Sequence, residues 1–259
     1  SMIPRLDSFV ARAALAALIS VCVPGALARA EDGSNDAKRE GKLPSPADAL
    51  RSLRVAPGFK VDLFAAEPLL ANPVAFHADE RGRFYVVETF RHSDGVTDTR
   101  GHMNWLVDDL AARTVADRVA MYRKFFTPEE FAAFGVQTER IRLVEDRDGD
   151  GKADHAEVFA EGFSSPETGI AAGVLARKGD VYFTNIPDLW LLKDADGDGK
   201  ADGRKSLHTG YGVHVGFLGH DLHGLIFGPD GKLYFSIGDR GFNVKTRDGR
   251  TLVALDSGS

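Results

Sequence analysis

A single cysteine, Cys22, stands among 259 residues, which excludes a disulfide framework. No Cys-x-x-Cys-His is present, so the chain attaches no haem of its own. The apolar run 13–23 ends at Pro24-Gly25 and is too short to span a bilayer as a helix. Positive charge is also scarce, with 32 Lys and Arg against 38 Asp and Glu, a formal charge of −6. Phosphate recognition needs the opposite balance, which speaks against nucleic acid as a partner and against an anionic membrane surface. What remains is an ordinary globular composition, 43% hydrophobic and 27% charged, with enough apolar residues for a sizeable core.

The N-terminus has the pattern of a secretory signal. Arg5 and Arg12 flank the apolar run, and Ala28-Arg29-Ala30 offers a small-x-small cleavage site before Glu31. Residues 1–30 are therefore expected to be removed on export, to the periplasm or the cell surface; Ser1 ahead of Met2 is set aside. Cys22 would leave with them. An exported domain without disulfides must be held by a large core, by metal, or by both. Residues 31–47 read as a flexible linker, polar and aperiodic until Ser45-Pro46-Ala47 opens a short helix, with Ser as N-cap and Pro at the first position.

From Phe59 the period becomes two: Phe59, Val61 and Leu63 alternate with Lys60 and Asp62, predicting a strand. Further strand-like runs fall at 84–87, 141–144, 157–159, 173–175, 181–184, 189–192, 225–227 and 233–236. Two phrases recur. FHADERGRFYVVE from Phe76, VLARKGDVYFTN from Val174 and IFGPDGKLYFSI from Ile226 each read as strand, tight turn, aromatic strand. EDRDGDGKADHAEVFAEGF from Glu145 and KDADGDGKADGRKSLHTGY from Lys193 form a second pair. In order, they give strands a–b and then c–d of successive four-stranded blades, so the predicted fold is all-β, a β-propeller. Residues 48–259 divide into blade one (55–163), blade two (164–211) and an incomplete blade three (212–259). Blade one carries an insertion, 91–139, predicted helical from Val115, Val119, Tyr122 and Phe126 and from the capping box Thr127-Pro128-Glu129-Glu130. An excursion of this size usually covers a face or a partner site. About three blades are fewer than the four to eight of a ring, so the expectation is a partial propeller with its remaining blades C-terminal.

Two Asp-rich loops carry the strongest chemical signal. Asp146, Asp148, Asp150, Asp154 and Glu157, with the carbonyl of Lys152, match the ligand positions of a calcium loop, and Gly151 supplies the sharp turn. Asp194, Asp196, Asp198 and Asp202 repeat the pattern, but Lys205 occupies the last ligand position, so that site should be weaker. Both loops join strands, which excludes an EF-hand switch; the role expected for Ca2+ is to pin hairpins. Read without metal, each loop is a polar turn.

Residues 219–241, GHDLHGLIFGPDGKLYFSIGDRG, resemble a segment of the soluble glucose and sorbosone dehydrogenases that use pyrroloquinoline quinone (PQQ). Pro57-Gly58-Phe59, Ala66-Glu67-Pro68, Asn72-Pro73, the run from Arg81 to Glu88 and the two Asp-Gly-Asp-Gly-Lys-Ala-Asp loops resemble the N-terminal propeller of predicted membrane-bound dehydrogenases. The resemblance covers about residues 48–245 and implies a six-bladed propeller. It puts His220 at the family's catalytic base and Glu167, Asp239 and Arg240 near cofactor or substrate, although Glu167 stands where the glucose enzymes have glutamine and His223 where the family usually has glycine. It further implies a sugar or alcohol substrate, PQQ and Ca2+ as cofactors, and a c-type haem domain or cytochrome as electron acceptor. A neutral imidazole near physiological pH suits proton abstraction, worth about 10²–10⁴-fold in rate.

Other readings stand beside this one. A non-catalytic propeller, cemented by calcium, could bind glycan or protein. A metal-dependent lactone hydrolase would need carboxylates converging on a central channel, and the acids here cluster in hairpin loops. His208, His214, His220 and His223 match no zinc spacing. Without catalysis, His220 and His223 are turn residues, Asp239 caps a turn, and Glu88 and Arg91 form a surface pair.

Overall fold

The computed structural model describes residues 44–92 and 94–255. The expected signal segment, most of the expected linker and residues 256–259 lie outside the described residues.

The chain is mostly β, with few helices, and its strands form four antiparallel sheets. Helix α1 (Pro46–Ser52) starts where Ser45 accepts from the Asp48 amide, with Pro46 in the first turn, so the last residues of the expected linker are helical. The first sheet pairs β1 (Pro73–Ala78), β2 (Phe84–Glu88), β3 (Glu139–Glu145) and β4 (His155–Phe163) in chain order. The second does the same with β5 (Gly173–Arg177), β6 (Asp180–Asn185), β7 (Asp188–Lys193) and β8 (Gly203–Thr209). The third repeat unit forms two hairpins, β9 (His223–Phe227) with β10 (Leu233–Ser236), and β11 (Phe242–Lys245) with β12 (Thr251–Ala254). An isolated bridge joins Tyr211 to Phe242.

The first strands of the three units lie side by side: β1 packs against β5, and β5 against β9. Inward-facing side chains fill the space between units. Tyr85, Val87, Ile141, Leu143 and Phe159 of the first sheet meet Val174, Val181, Phe183 and Leu192 of the second. Ile186, Leu189, Tyr211, Leu222, Ile237 and Val244 make the next layer. Burying each such side chain contributes about 1.5–3 kcal/mol, which is how a domain without disulfides acquires its stability.

Residues 59–64 depart from the predicted strand and join no ladder. They are nonetheless held in place: the Ala153 amide donates to the Phe64 carbonyl at 2.8 Å, and the Phe64 and Phe84 rings lie 4.6 Å apart. The second Asp-rich loop makes the equivalent contact, Ala201 donating to the Phe159 carbonyl of β4 at 2.8 Å.

The insertion between β2 and β3 is helical as predicted. It holds α2 (Leu106–Ala111), α3 (Val115–Phe125) and α4 (Pro128–Ala133), with complete capping boxes at Thr114 and Thr127. Trp105, Met121 and Tyr122 bury their own small core against Val215. Among the described residues no helix is long and apolar enough to cross a membrane.

Candidate functional site

Antiparallel pairing sorts the connections to two ends. At one end lie the short hairpins, 79–83, 178–179 and 228–232, and both Asp-rich loops. At the other lie the insertion, the segments 164–172 and 210–222, and the β10–β11 turn at 237–241. His220, Glu167, Asp239 and Arg240 therefore share one end, and the candidate calcium ligands occupy the opposite one.

His220 and Asp239 face each other, Nδ1 to Oδ1 at 3.0 Å, with side chains 51% and 39% exposed. Their segments are tied by the Gly238 amide, which donates to the His220 carbonyl at 3.3 Å. Gly238 is also required sterically, because a Cβ there would come within 2.8 Å of the His220 Cβ. The exposed Phe217 ring stands edge-on to the imidazole at 5.6 Å. With Nδ1 directed at a carboxylate, Nε2 is the nitrogen left to exchange a proton with a ligand.

Asp221 and Arg240, the next residue of each segment, turn inward. Both are fully buried, with Arg240 Nε 3.4 Å from Asp221 Oδ1. Neither Asp221 oxygen and none of the three Arg240 nitrogens has a hydrogen-bond partner. Burial pushes the Asp221 carboxyl up, opposed by Arg240 and Arg118. Arg240, expected from the sequence near the cofactor, is thus turned inward and does not reach the surface of the described residues. Asp221 was missed by sequence reasoning; the neighbouring dipeptides His220-Asp221 and Asp239-Arg240 were its only trace.

Two more buried arginines knit this end together. Arg118 of α3 donates to the Gly212 carbonyl at 2.8 Å and to the Glu167 carbonyl at 2.7 Å. Arg91 donates to Gly95 at 2.9 Å and Phe134 at 3.0 Å within the insertion, and to Ser165 at 3.2 Å outside it. Asp109 of α2 accepts from the Val215 amide at 2.9 Å and sits beside His214. The insertion is thereby clamped onto the segments that carry Glu167 and His220. Glu167 itself is half-buried and is placed through its carbonyl.

Glu88 and Arg91 are not the surface pair expected from sequence. Both are fully buried. Glu88 takes Arg142 at 2.8 Å and the Ala71 amide at 2.7 Å, while Arg91 serves carbonyls. Glu139 gathers Thr89 Oγ1, the Arg91 amide and the Ala171 amide at 2.8, 2.9 and 3.1 Å. That joins the insertion to the entrance of β5. His208, His214, His220 and His223 each have a separate partner, and they do not converge.

The Asp-rich loops are built alike. Asp146 accepts from the Gly149 and Gly151 amides, and Asp194 from those of Gly197 and Gly199. Asp154 and Asp202 each accept from the residue after the first Asp, Arg147 and Ala195. Carboxylates of Asp146, Asp148 and Asp150 lie within 4.8 Å of one another, as do those of Asp194, Asp196 and Asp202. Asp198 instead accepts from the Lys200 amide, and the Lys152 amide donates to Asp150. Glu157 does not join the first group. Strand alternation puts it on the face of His155, 3.2 Å from that ring and grouped with Glu145, where it packs on Gly199 of the second loop.

A comparison with curated proteins finds no match. Residues 45–258 match the model of a family described as a domain of unknown function, DUF7133. The match spans every sheet, the insertion, both Asp-rich loops and the His220–Asp239 pair, and the chain belongs to that family.

Proposed function

We propose that this chain is part of an exported β-propeller with a dehydrogenase-like site at His220, acting on a sugar or alcohol. Three units whose first strands lie side by side are what blades around an axis require. The contact of residues 59–64 with the first Asp-rich loop supports the same reading, because it copies the contact between β4 and the second. Residues 59–64 then hold the place of an outermost strand belonging to a preceding blade, as at a ring closure.

The observation that carries the activity is the half-exposed His220 held by Asp239 at 3.0 Å. Asp239 fixes the imidazole orientation and stabilises the charge it gains on taking a proton. His220 Nε2 removes the hydroxyl proton of the substrate, and the flanking Phe217 shields that side of the ring from water. PQQ, where bound, supplies the hydride acceptor. The residues fit it only in part. His220, Asp239 and Glu167 share one end of the sheets, but Arg91, Arg118 and Arg240 are buried and do not form a clamp for its carboxylates. Ca2+ at the Asp-rich loops has a structural role, and a c-type haem domain or cytochrome takes the electrons.

The test is dye reduction with aldoses and simple alcohols after addition of PQQ and Ca2+ to the longest natural polypeptide containing this chain. Turnover in the wild type, reduced about 10²-fold or more in His220→Ala in line with general-base catalysis, is the expected result. Quinone binding without turnover, or equal turnover in His220→Ala, removes the assignment. Glycan or protein binding without turnover favours the non-catalytic propeller.

A further inference from the structure

We infer that the buried pair Asp221–Arg240 consists of positioning residues that set the register of the His220–Asp239 pair. The inference rests on the reading of His220 as the working imidazole. Two dipeptides face each other, and each contributes one residue outward and one inward. The outward contact is 3.0 Å between Nδ1 and Oδ1; the inward one is 3.4 Å between Nε and Oδ1. Three backbone hydrogen bonds join the two segments, Gly238 to His220, His214 to Arg240 and Gly212 to Gly241, at 3.3, 2.9 and 2.8 Å. Those bonds hold the main chains, and the buried side-chain contact locks which residue of each dipeptide faces inward and which faces out.

Asp221 and Arg240 suit that task because their side chains face each other as an ion pair and have no hydrogen-bond partner elsewhere. Their unpartnered atoms are fully buried, so each charge is held by its neighbours and not by water. A buried ion pair adds little net stability, because desolvation offsets attraction, but it can impose one arrangement over others. Space is reserved for it: a Cβ on Gly169 would collide with Asp221 Oδ1. Arg240 is fixed from behind as well, its carbonyl accepting from the His214 amide at 2.9 Å.

The readout is the pair of His220 ring-nitrogen resonances, observed by nitrogen-15 NMR above the pH at which the ring is protonated. The wild-type chain should show one tautomer, with hydrogen on Nδ1 facing Asp239. Asp221→Asn and Gly169→Ala should both give mixed tautomers with averaged shifts, as Asp239→Asn does directly. If either single variant fails to fold, Asp221→Asn/Arg240→Gln removes both charges of the pair together and should fold with the same mixed signature. A mixed tautomer in the wild type, or a single Nδ1–H tautomer in every folded Asp221 or Gly169 variant, overturns the inference. Absence of dye reduction with intact tautomer behaviour counts against the catalytic reading alone. Among active variants the effect should fall on kcat, by about tenfold, with KM little changed.

Discussion

The Ala153 amide donates to the Phe64 carbonyl at 2.8 Å, anchoring a segment that has no ladder partner among the described residues. Phe64 also covers Phe84. Phe64→Ala should therefore cost about 1–3 kcal/mol, below the roughly 3–5 of a fully buried phenylalanine, measured by urea unfolding. An unchanged midpoint would mean that residues 59–64 rest on the first sheet without contributing to it.

Arg118 is the clamp of the insertion. Its guanidinium is buried and reaches two carbonyls on two different segments. Arg118→Ala leaves both carbonyls without that donor, at about 1–3 kcal/mol for each acceptor left buried and unpaired. Limited proteolysis should then cut within 95–135 before the sheets. Cleavage starting in the sheets would contradict the clamp.

Calcium should stabilise the chain if the Asp-rich loops bind it. With affinity in the range of extracellular modules, about 10⁻³ M, 10 mM Ca2+ would add roughly 1.4 kcal/mol per site. The rise in Tm should shrink in Asp146→Asn and in Asp194→Asn and vanish in the double variant. A Tm indifferent to Ca2+ and to chelator would leave both loops as polar turns.

The docking of α2 should weaken as pH rises. Burial lifts the Asp109 carboxyl above its ordinary value, opposed by the Val215 amide and by His214, Arg118 and Arg240. The folded chain then keeps a proton over a range where the unfolded chain has lost it. Its contribution is most favourable below the ordinary carboxylate value, near pH 4, and is lost as pH rises through the lifted one. Asp109→Asn should flatten that part of the curve of Tm against pH, and an unaltered curve would refute the assignment.

The repeat phrases made most of the fold legible. Alternating apolar residues and Gly-centred turns are local signals, and 84–87, 141–144 and 181–184 all lie within strands. Polar β8 carries no such alternation, β11 and β12 are only four residues each, and none of the three is among the strand-like runs read from the sequence. Residues 59–64 have the pattern of a strand, but a ladder needs a second chain segment, which periodicity cannot supply. At the candidate site, exposed polar residues were readable and buried ones were not. His220 and Asp239 stand out by resemblance, whereas Asp221, Glu139 and Arg118 gain meaning only when distant segments converge. Glu157 fits a calcium spacing in one dimension, yet the strand turns it to His155.

Among the described residues the insertion is the one large segment that breaks the repeating plan, and it is fastened over the same end as His220. Hairpins that repeat are constrained by their neighbours on both sides, so their sequences have little freedom. A helical strap that owns its own small core is free of that constraint. Lengthening, shortening or exchanging its helices would reshape the approach to His220 while every sheet stayed as it is, which makes the stretch from α2 to α4 the natural place for diversification among relatives.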